Sequence, residues 1–253
     1  VFGATTPAAA KEAIERDKVV FDSPRNLEEH CLSIVGRRIY EMFIKGYTEK
    51  QWGKKCTELP ASIMKRIPIR YTFDNNYFNE KYQGIPKCGY TEFIARLLLG
   101  SNFALGTDFF DDSERLSSLA RNIVYTGPID KFYNYRFGKL DYRSVRFKET
   151  YLPDVDNLQG NAVINYTDSH VPYTRMIEHK HFLKAQCNGT VLSYEFPCDY
   201  NENGSPCYPI PTEGNLMKYA KYKALADKEP NVVFGGRLAE YKYYLSLIHI
   251  SEP

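Results

Sequence analysis

The stretch from Phe43 to Gly53 constrains the chain most, because it places the only tryptophan next to other aromatic side chains and several charges. It reads Phe-Ile-Lys-Gly-Tyr-Thr-Glu-Lys-Gln-Trp-Gly, and a basic run, Lys65-Arg-Ile-Pro-Ile-Arg70, follows it closely. Aromatic faces beside planar guanidinium groups suit a ligand that carries a flat base and a phosphate. We therefore expect the rest of the chain to build the walls of such a site.

The composition is that of an ordinary globular protein and excludes several function classes. The chain has 253 residues, of which 43% are hydrophobic and 25% are charged, enough for one large or two small domains. Its 33 basic and 31 acidic residues give a net charge of +2, so there is no general attraction to nucleic acid or membranes. No apolar run is long enough to span a bilayer, and no signal peptide is evident. We predict neither a nucleic-acid partner nor a membrane partner.

The cysteines and histidines do not form a recognisable metal or disulfide pattern. None of the six cysteines belongs to a C-x-x-C pair, which favours a reducing, cytoplasmic location. His179 and His181 alternate, so they would share one face of a strand, but no further ligand lies at a suitable spacing. The metal prediction is therefore none.

Helical signals dominate the first quarter of the chain. Thr6-Pro7 is typical of a helix start, and Asn26 with Glu29 resembles a capping box that precedes residues at helical spacing. Gly46 is expected to end that second helix. Residues 1–68 are therefore predicted to form a helical unit.

Helices and strands then alternate, which predicts an α/β class of mixed α+β character. The predicted strands are 69–73, 103–106, 122–126 and 231–234, and the predicted helices are 89–99, 113–120 and one from Thr212 to Ala226. Between Tyr133 and Tyr200 several runs alternate in polarity, as Val191 to Phe196 do, which predicts an antiparallel sheet.

Eight ordered blocks resemble the UDP-galactopyranose mutase family of flavoenzymes, over roughly residues 5–244. The first block is the stretch from Phe43 to Gly53. The others are Phe73-Asp-Asn-Asn-Tyr-Phe78, Tyr82-Gln-Gly-Ile-Pro86, Tyr125-Thr-Gly-Pro-Ile-Asp130, Gly160-Asn-Ala-Val-Ile-Asn165, Val171-Pro-Tyr-Thr-Arg175, Glu178-His-Lys-His-Phe182 and Phe234-Gly-Gly-Arg-Leu-Ala-Glu-Tyr-Lys-Tyr-Tyr244.

The resemblance implies a division into three domains. These are a helical substrate-binding domain (1–68), a six-stranded antiparallel sheet domain (69–83 and 129–211), and returning parts of an FAD-binding α/β domain (84–128 and 212–244). The 16 glycines include no G-x-G-x-x-G, the motif that cradles a dinucleotide pyrophosphate, and residues 245–253 do not match. We therefore expect a fragment without the N-terminal FAD-cradling segment and the native C-terminus, one that is poorly soluble and neither retains FAD nor turns over substrate.

The resemblance also implies a function. Members interconvert UDP-galactopyranose and UDP-galactofuranose by covalent catalysis through N5 of reduced FAD, without net redox change, and so supply galactofuranose to cell-surface glycans. The implied catalytic residues are Arg66 and Arg175, and the implied cofactor contacts are Gly127, Gly236 and Arg237. The implied substrate contacts are Phe43, Tyr47, Thr48, Trp52, Tyr77, Asn165, Glu195, Tyr208 and Tyr243. A homodimer is a further expectation.

Two other functions remain open on the sequence. One is a flavin amine-oxidase-like oxidoreductase, since such enzymes share the FAD domain type; the other is a non-catalytic module that binds a UDP-sugar or single-stranded RNA. The chain has no evident catalytic triad, carboxylate pair or P-loop. That pattern is typical of an enzyme whose cofactor carries the chemistry.

Overall fold

The computed structural model of the protein describes residues 1–64, 69–74, 81–82, 84–200 and 204–243. The helices of this part are α1 (Pro7–Asp17), α2 (Leu27–Ile39), α3 (Gly46–Trp52), α4 (Gly89–Leu97), α5 (Ser113–Ser118), α6 (Ile129–Phe132), α7 (Lys180–Leu183), α8 (Glu213–Ala226) and α9 (Gly236–Ala239). The strands are β1 (Ile123–Tyr125), β2 (Tyr142–Leu152), β3 (Val163–Asn165), β4 (Arg175–Glu178), β5 (Thr190–Asp199), β6 (Tyr208–Pro209) and β7 (Val232–Phe234). The predicted mixed α/β class is confirmed.

Both predicted helix starts are confirmed in the helical region. The Thr6 hydroxyl accepts a hydrogen bond from the Ala9 N–H at 3.2 Å, and the Asn26 side chain accepts one from the Glu29 N–H at 2.9 Å. The Glu29 carboxylate accepts from the Arg25 N–H, one residue before the cap, at 2.9 Å. The cap is therefore shifted by one residue from a reciprocal capping box.

Gly46 does not end a helix, so that prediction is wrong. A π-helical turn (Tyr40–Lys45) continues α2, and Gly46 begins α3 with helical angles of φ −63° and ψ −40°. A Cβ at Gly46 would stand 2.2 Å from the Thr167 carbonyl oxygen. The glycine is needed for that close approach, and α3 ends instead at Gly53, whose φ is +61°.

The helical region has its own apolar core. Two 3₁₀ turns, Cys56–Glu58 and Ala61–Ile63, pack against α2 at its edge. Its buried residues are Leu27, Cys31, Leu32, Val35, Tyr40, Trp52, Cys56, Leu59 and Met64. We call this set the helical core. Cys31, on α2, is fully buried in this core.

An antiparallel sheet of five strands forms the centre of the described chain, in the order β3-β4-β5-β2-β6. β2 and β5 pair over ten residues, from Arg143 opposite Asp199 to Leu152 opposite Thr190. The predicted antiparallel sheet in this region is thus confirmed, with five strands among the described residues. β1 and β7 form a separate parallel pair, with Tyr125 opposite Phe234.

A second buried cluster joins the large sheet to α6 and α8. It consists of Ile129, Leu140, Tyr142, Tyr222 and Tyr241. α8 begins as predicted, because the Thr212 hydroxyl accepts from the Asn215 N–H at 3.4 Å.

Three local predictions are wrong. Residues 69–73 and 103–106 form no strand, and Phe73 and Phe103 are 80% and 63% exposed. A strand needs a paired neighbour and a buried face, and these runs have neither in the described chain. His179 follows β4 and His181 lies in α7, so the two do not share a strand face.

The region from 84 to 122 differs from the rest. Its predicted helices are confirmed as α4 and α5, yet none of its described residues is buried. No helix of the described residues is both long and apolar enough to cross a membrane. The proposed domain boundaries stay predictions, and residues 245–253 lie outside the described residues.

Candidate functional site

Three residues predicted for the site lie in one row across the large sheet. Asn165 on β3 is paired with Arg175 on β4, and Arg175 is paired with Glu195 on β5. Directly opposed residues of antiparallel strands share a face, so all three side chains belong to the same side of the sheet. The row runs from exposed Asn165 to Glu195, which is only 4% exposed.

The Arg175 guanidinium is held in place by groups from two directions. Its Nε lies 3.2 Å from Glu195 Oε1, and its fork is in hydrogen-bonding contact with the Tyr47 hydroxyl on α3. The Thr174 hydroxyl donates to the same Glu195 oxygen at 3.0 Å. Burial lowers the pKa of Arg175, but the Glu195 charge and the nearby tyrosines outweigh it and raise the pKa. The guanidinium is thus a fixed, charged fork, with a third of its surface exposed.

An aromatic group adjoins Arg175. Tyr208 and Tyr243 lie 5.4 Å apart between ring centroids, and Trp52 meets them edge-on at 6.4 Å and 6.3 Å. The Arg237 guanidinium lies over both tyrosine rings, 5.2 Å and 4.8 Å from their centroids. Burial raises the pKa of Tyr208 to about 12, helped by Tyr243 and Glu195 and opposed by the two arginines.

The remaining predicted substrate contacts occupy the helical segment that carries Tyr47. Thr48 is buried, and Phe43 on the π-helical turn is 48% exposed. Trp52 is 6% exposed and belongs to the helical core, so it contacts Tyr208 and Tyr243 from the side of that core. Arg66 and Tyr77 lie outside the described residues.

The predicted cofactor glycines meet at one end of the parallel strand pair. β1 and β7 end side by side, and the Gly235 N–H donates to the Tyr125 carbonyl at 3.1 Å. Gly127 follows β1 and Gly236 follows β7; a Cβ at Gly236 would lie 3.8 Å from Thr126. Ligands of α/β folds bind beyond the carboxyl ends of parallel strands. Arg237 points away from this edge toward the tyrosines, and its NH1 donates to the Cys207 carbonyl at 3.1 Å.

A cleft of about 540 Å³ opens beside Gly127. It is lined by Gly106, Thr107, Asp108, Phe109, Phe110, Asp111, Tyr125, Gly127, Pro128 and Lys131. Lys131 and Asp108 form an ion pair of 2.8 Å at its mouth, so the cleft offers no unopposed charge to an anion there.

Sequence reasoning missed two cations that hold the site together. Arg143 on β2 is 7% exposed; it pairs with Asp199 and donates to the Gln51 carbonyl of α3 at 3.1 Å. Lys50 on α3 binds the loop between β3 and β4. The sequence shows only that both are basic, because their partners come from distant segments.

Comparison with known proteins identifies a family that spans this region. The UDP-galactopyranose mutase family profile matches residues 42–243, which include every described residue of the site. A probable UDP-galactopyranose mutase of Klebsiella pneumoniae is 42% identical over 231 residues, which are 90% of this chain and 59% of the relative.

Two further similarities extend the comparison. A dTDP-fucopyranose mutase of Escherichia coli is 40% identical over 248 residues, or 95% of this chain and 65% of the relative. The crystal structure of a reduced UDP-galactopyranose mutase has a TM-score of 0.56 at 13% identity, covering 93% of this chain and 67% of that chain, which supports the fold. The chain therefore spans about three-fifths of the curated relatives' length. On the family match, the chain belongs to the UDP-galactopyranose mutase family.

Proposed function

We propose that the protein containing this chain is an FAD-dependent isomerase that interconverts UDP-galactopyranose and UDP-galactofuranose without net redox change. The observation that carries the proposal is the environment of Arg175. This guanidinium is held by Glu195 and Tyr47 in the row shared with Asn165, and the aromatic group lies beside it. Relatives named as mutases of sugar nucleotides support the same reading.

Arg175 is assigned to the pyrophosphate of UDP. A planar fork binds two phosphate oxygens at once and keeps its charge at every working pH. When the anomeric C–O bond breaks, the electron pair goes to the phosphate oxygen, and a fixed positive charge stabilises the departing UDP. The buried Glu195 carboxylate orients the fork from behind, so little reorganisation is needed. Arg66 is proposed as the second clamp.

The aromatic group is assigned to the nucleotide. Burial keeps the Tyr208 hydroxyl protonated by raising its pKa, and the Arg237 guanidinium places a positive charge over the rings of Tyr208 and Tyr243. An exposed aromatic face such as that of Phe43 suits stacking of a base, an interaction worth about 1–3 kcal/mol. Asn165, at the exposed end of the row, is assigned to sugar hydroxyls.

The residues present fit one edge of an FAD site. Gly236 has a φ of +82°, which only glycine adopts readily, and the backbone beside it is open except for Thr126. Gly127 lies at the end of the neighbouring strand. Reduced FAD, when bound, supplies the nucleophile for the anomeric carbon. The chain's own residues would let the cofactor approach the backbone at Gly236 and would keep the sugar nucleotide against that edge.

A second candidate substrate is dTDP-fucopyranose. The mutase of Escherichia coli that is named for this substrate is 40% identical over 95% of this chain. dTDP-fucose differs from UDP-galactose by the thymine methyl group and by the absence of the ribose 2′-hydroxyl and the sugar 6-hydroxyl. The two molecules share the pyrimidine ring and the pyrophosphate, which are the parts assigned to the aromatic residues and to Arg175. The described residues therefore support a pyrimidine diphosphate sugar, with the UDP form as the proposed one.

The test compares the turnover of two substrates by the intact gene product. The protein is loaded with FAD, reduced with dithionite, and incubated with either UDP-galactofuranose or dTDP-fucofuranose, and the pyranose forms are resolved by chromatography. We expect faster conversion of the UDP sugar. In a parallel sample without dithionite, we expect no substrate-dependent consumption of an added oxidant. Faster turnover of the dTDP sugar would replace the substrate assignment. Net oxidation would favour the oxidoreductase alternative, and tight UDP binding without conversion would favour the binding module. A cytoplasmic location and a homodimer stay predictions.

A further inference from the structure

The ammonium of Lys50 lies among four backbone carbonyl oxygens of one loop. Its Nζ is 2.8 Å from the oxygen of Tyr166, 2.9 Å from that of Asp168, 3.0 Å from that of Val171 and 3.1 Å from that of Tyr173. We call these four oxygens the carbonyl cage. An ammonium has three hydrogens, so at least one hydrogen is shared between two oxygens. All three ammonium hydrogens of Lys50 therefore donate to carbonyl oxygens of this loop.

The loop that forms the cage joins β3 to β4 and so connects Asn165 to Arg175. Two of the cage residues, Tyr166 and Tyr173, lie within two positions of that cross-strand pair. The Tyr166 N–H donates to the Thr174 carbonyl at 2.9 Å, and the Thr174 N–H donates to the Glu195 carbonyl at 2.9 Å. A displacement of the loop would therefore be passed directly to the backbone of Arg175.

The helix that carries Lys50 also contacts Arg175 itself. Gly46 lies one turn before Lys50, and the Thr167 carbonyl packs against it so closely that a Cβ would not fit. Tyr47, the next residue, meets the Arg175 guanidinium. One short helix thus fixes the loop at two points and the end of the arginine side chain at a third.

We propose that Lys50 is a positioning residue for Arg175, whose ammonium, within the carbonyl cage, locks the β3–β4 loop so that the guanidinium faces the pyrophosphate. The inference rests on the proposed function, because it presupposes that Arg175 binds that group. Four converging carbonyl oxygens at 2.8–3.1 Å also form a shell of the kind that replaces the hydration of a monovalent cation. The cage can therefore accept a small cation in place of the lysine.

The chain provides a matched control in Lys180. Its Nζ also has four oxygen partners, which are the carbonyls of Asp156, Cys187 and Gly189 and the Asp156 carboxylate, at 2.6–3.0 Å. It lies beyond the opposite end of β4 from Arg175. Loss of Lys180 thus removes a comparable network that does not lead to the site.

The first measurement does not depend on catalysis. Hydrogen exchange is followed in the intact gene product at the amides of Tyr166 and Thr174, for the wild type, K50A and K180A. We expect exchange to rise roughly tenfold in K50A alone and to return toward the wild-type rate in ammonium or potassium chloride, but not in tetramethylammonium chloride. Unchanged exchange in K50A, or a rise that no cation reverses, would overturn the cage as the lock.

The second measurement asks whether Lys50 acts through Arg175. We expect kcat/KM for UDP-galactofuranose to fall roughly tenfold in K50A, to recover with ammonium, and to change less than about twofold in K180A. In a double-mutant cycle, K50A with R175A should be no slower than R175A alone, because the arginine to be positioned is already absent. Additive losses would show a general structural role and overturn the proposal. If K50A does not fold, Lys50→Met keeps the apolar stem and is tested in the same cycle.

Failure of the proposed function is recognised separately. If the wild-type protein turns over no sugar nucleotide, that function fails, and the exchange measurement still decides whether Lys50 locks the loop.

Discussion

The helical region up to Met64 and the region from 84 to 122 are both partly helical, but only the first buries its apolar side chains. In α2, Leu27 and Cys31 are fully buried, whereas in α4 Phe93 is 43% and Leu97 is 65% exposed. Among the described residues that follow Met64, the first buried one is Tyr125. The comparison teaches that helical periodicity and capping predict a helix equally well whether or not a partner covers its apolar face.

The two regions differ in whether the apolar face of their main helix is covered. α2 packs against α1, the π-helical turn and two 3₁₀ turns, so its apolar face is covered within the described chain. α4 presents Tyr90, Phe93, Ile94 and Leu97 outward, a contiguous kind of apolar surface that monomers rarely leave open. No residue assigned to the nucleotide or the sugar lies in the region from 84 to 122, and matched substitutions in the two regions test the contrast between them.

The largest expected effect is on stability. Leu27→Ala in the 253-residue chain should lower the free energy of unfolding by about 2–5 kcal/mol, because it removes a fully buried side chain and leaves a cavity. Urea unfolding followed by Trp52 emission measures this directly, since Trp52 is the only tryptophan and belongs to the same helical core.

The control is Leu97→Ala, which removes the same atoms from a largely exposed side chain. It should change the free energy of unfolding by less than about 0.5 kcal/mol. Equal losses in the two variants would mean that α4 is packed against other parts of the chain in solution, and the contrast between the regions would fail.

The next effect concerns Arg175. In the intact gene product, Arg175→Ala should lower kcat/KM by about 10- to 150-fold, the equivalent of one charge-assisted contact of about 1.5–3 kcal/mol. Arg175→Lys should restore little, because an ammonium lacks the planar fork. Chromatographic assay of the sugar nucleotides, with bound FAD measured by absorbance, gives the comparison.

Arg96 of α4 is the matched arginine. It pairs with Glu92 at 2.8 Å on an exposed helix face, and such pairs are worth only about 0.3–0.5 kcal/mol. Arg96→Ala should leave kcat/KM unchanged. Wild-type turnover in the Arg175→Ala variant would remove this residue from the site.

The sequence could predict the members of the site better than their arrangement. Alternating polarity predicted the strand that carries Glu195, and the family resemblance named Asn165, Arg175 and Glu195. Their common row depends on the register of three consecutive strands, which periodicity does not encode. Gly46 was predicted wrongly and Lys50 was missed, because the contacts of both residues are long-range. Gly46 lets the Thr167 carbonyl approach closely, and Lys50 occupies the carbonyl cage. In both cases the partner lies more than a hundred residues away in the sequence.

The fold shows the same limit. Predictions that depend on local chemistry were right, such as the caps at Thr6, Asn26 and Thr212. The strands predicted at 69–73 and 103–106 failed because a strand needs a partner, and a run of apolar residues does not reveal whether one is present.

A smaller effect is expected from acid. Glu178 is fully buried; burial raises its pKa, but bonds from the Gln159 and Leu158 N–H groups, Thr190 and His181 outweigh this and lower it to about 2. A lowered pKa stabilises the fold above the unfolded-state value, and that stabilisation is lost as the pH falls toward 2. Glu178→Gln should cost about 1–3 kcal/mol near neutral pH and flatten the loss on acidification.

Glu92 on α4 is the control for this measurement, since its side chain is 49% exposed. Glu92→Gln should leave the unfolding free energy and its acid dependence as in the wild type, when both are followed by circular dichroism in urea. An unchanged acid profile in Glu178→Gln would contradict the assigned network around this carboxylate.

The smallest effect concerns Trp52, which belongs to the helical core and contacts the proposed nucleotide site through Tyr208 and Tyr243. UDP binding to the intact gene product should shift its emission, because both tyrosines are assigned to the nucleotide and contact the indole edge-on. Trp52→Phe should weaken UDP binding by less than about threefold, since an aromatic ring remains against the two tyrosines.

As a control, Tyr90→Trp in the Trp52→Phe background moves the indole to the exposed face of α4, where UDP should not alter its emission. A response at position 90 with none at position 52 would place the nucleotide beside α4 and reverse the comparison between the two regions.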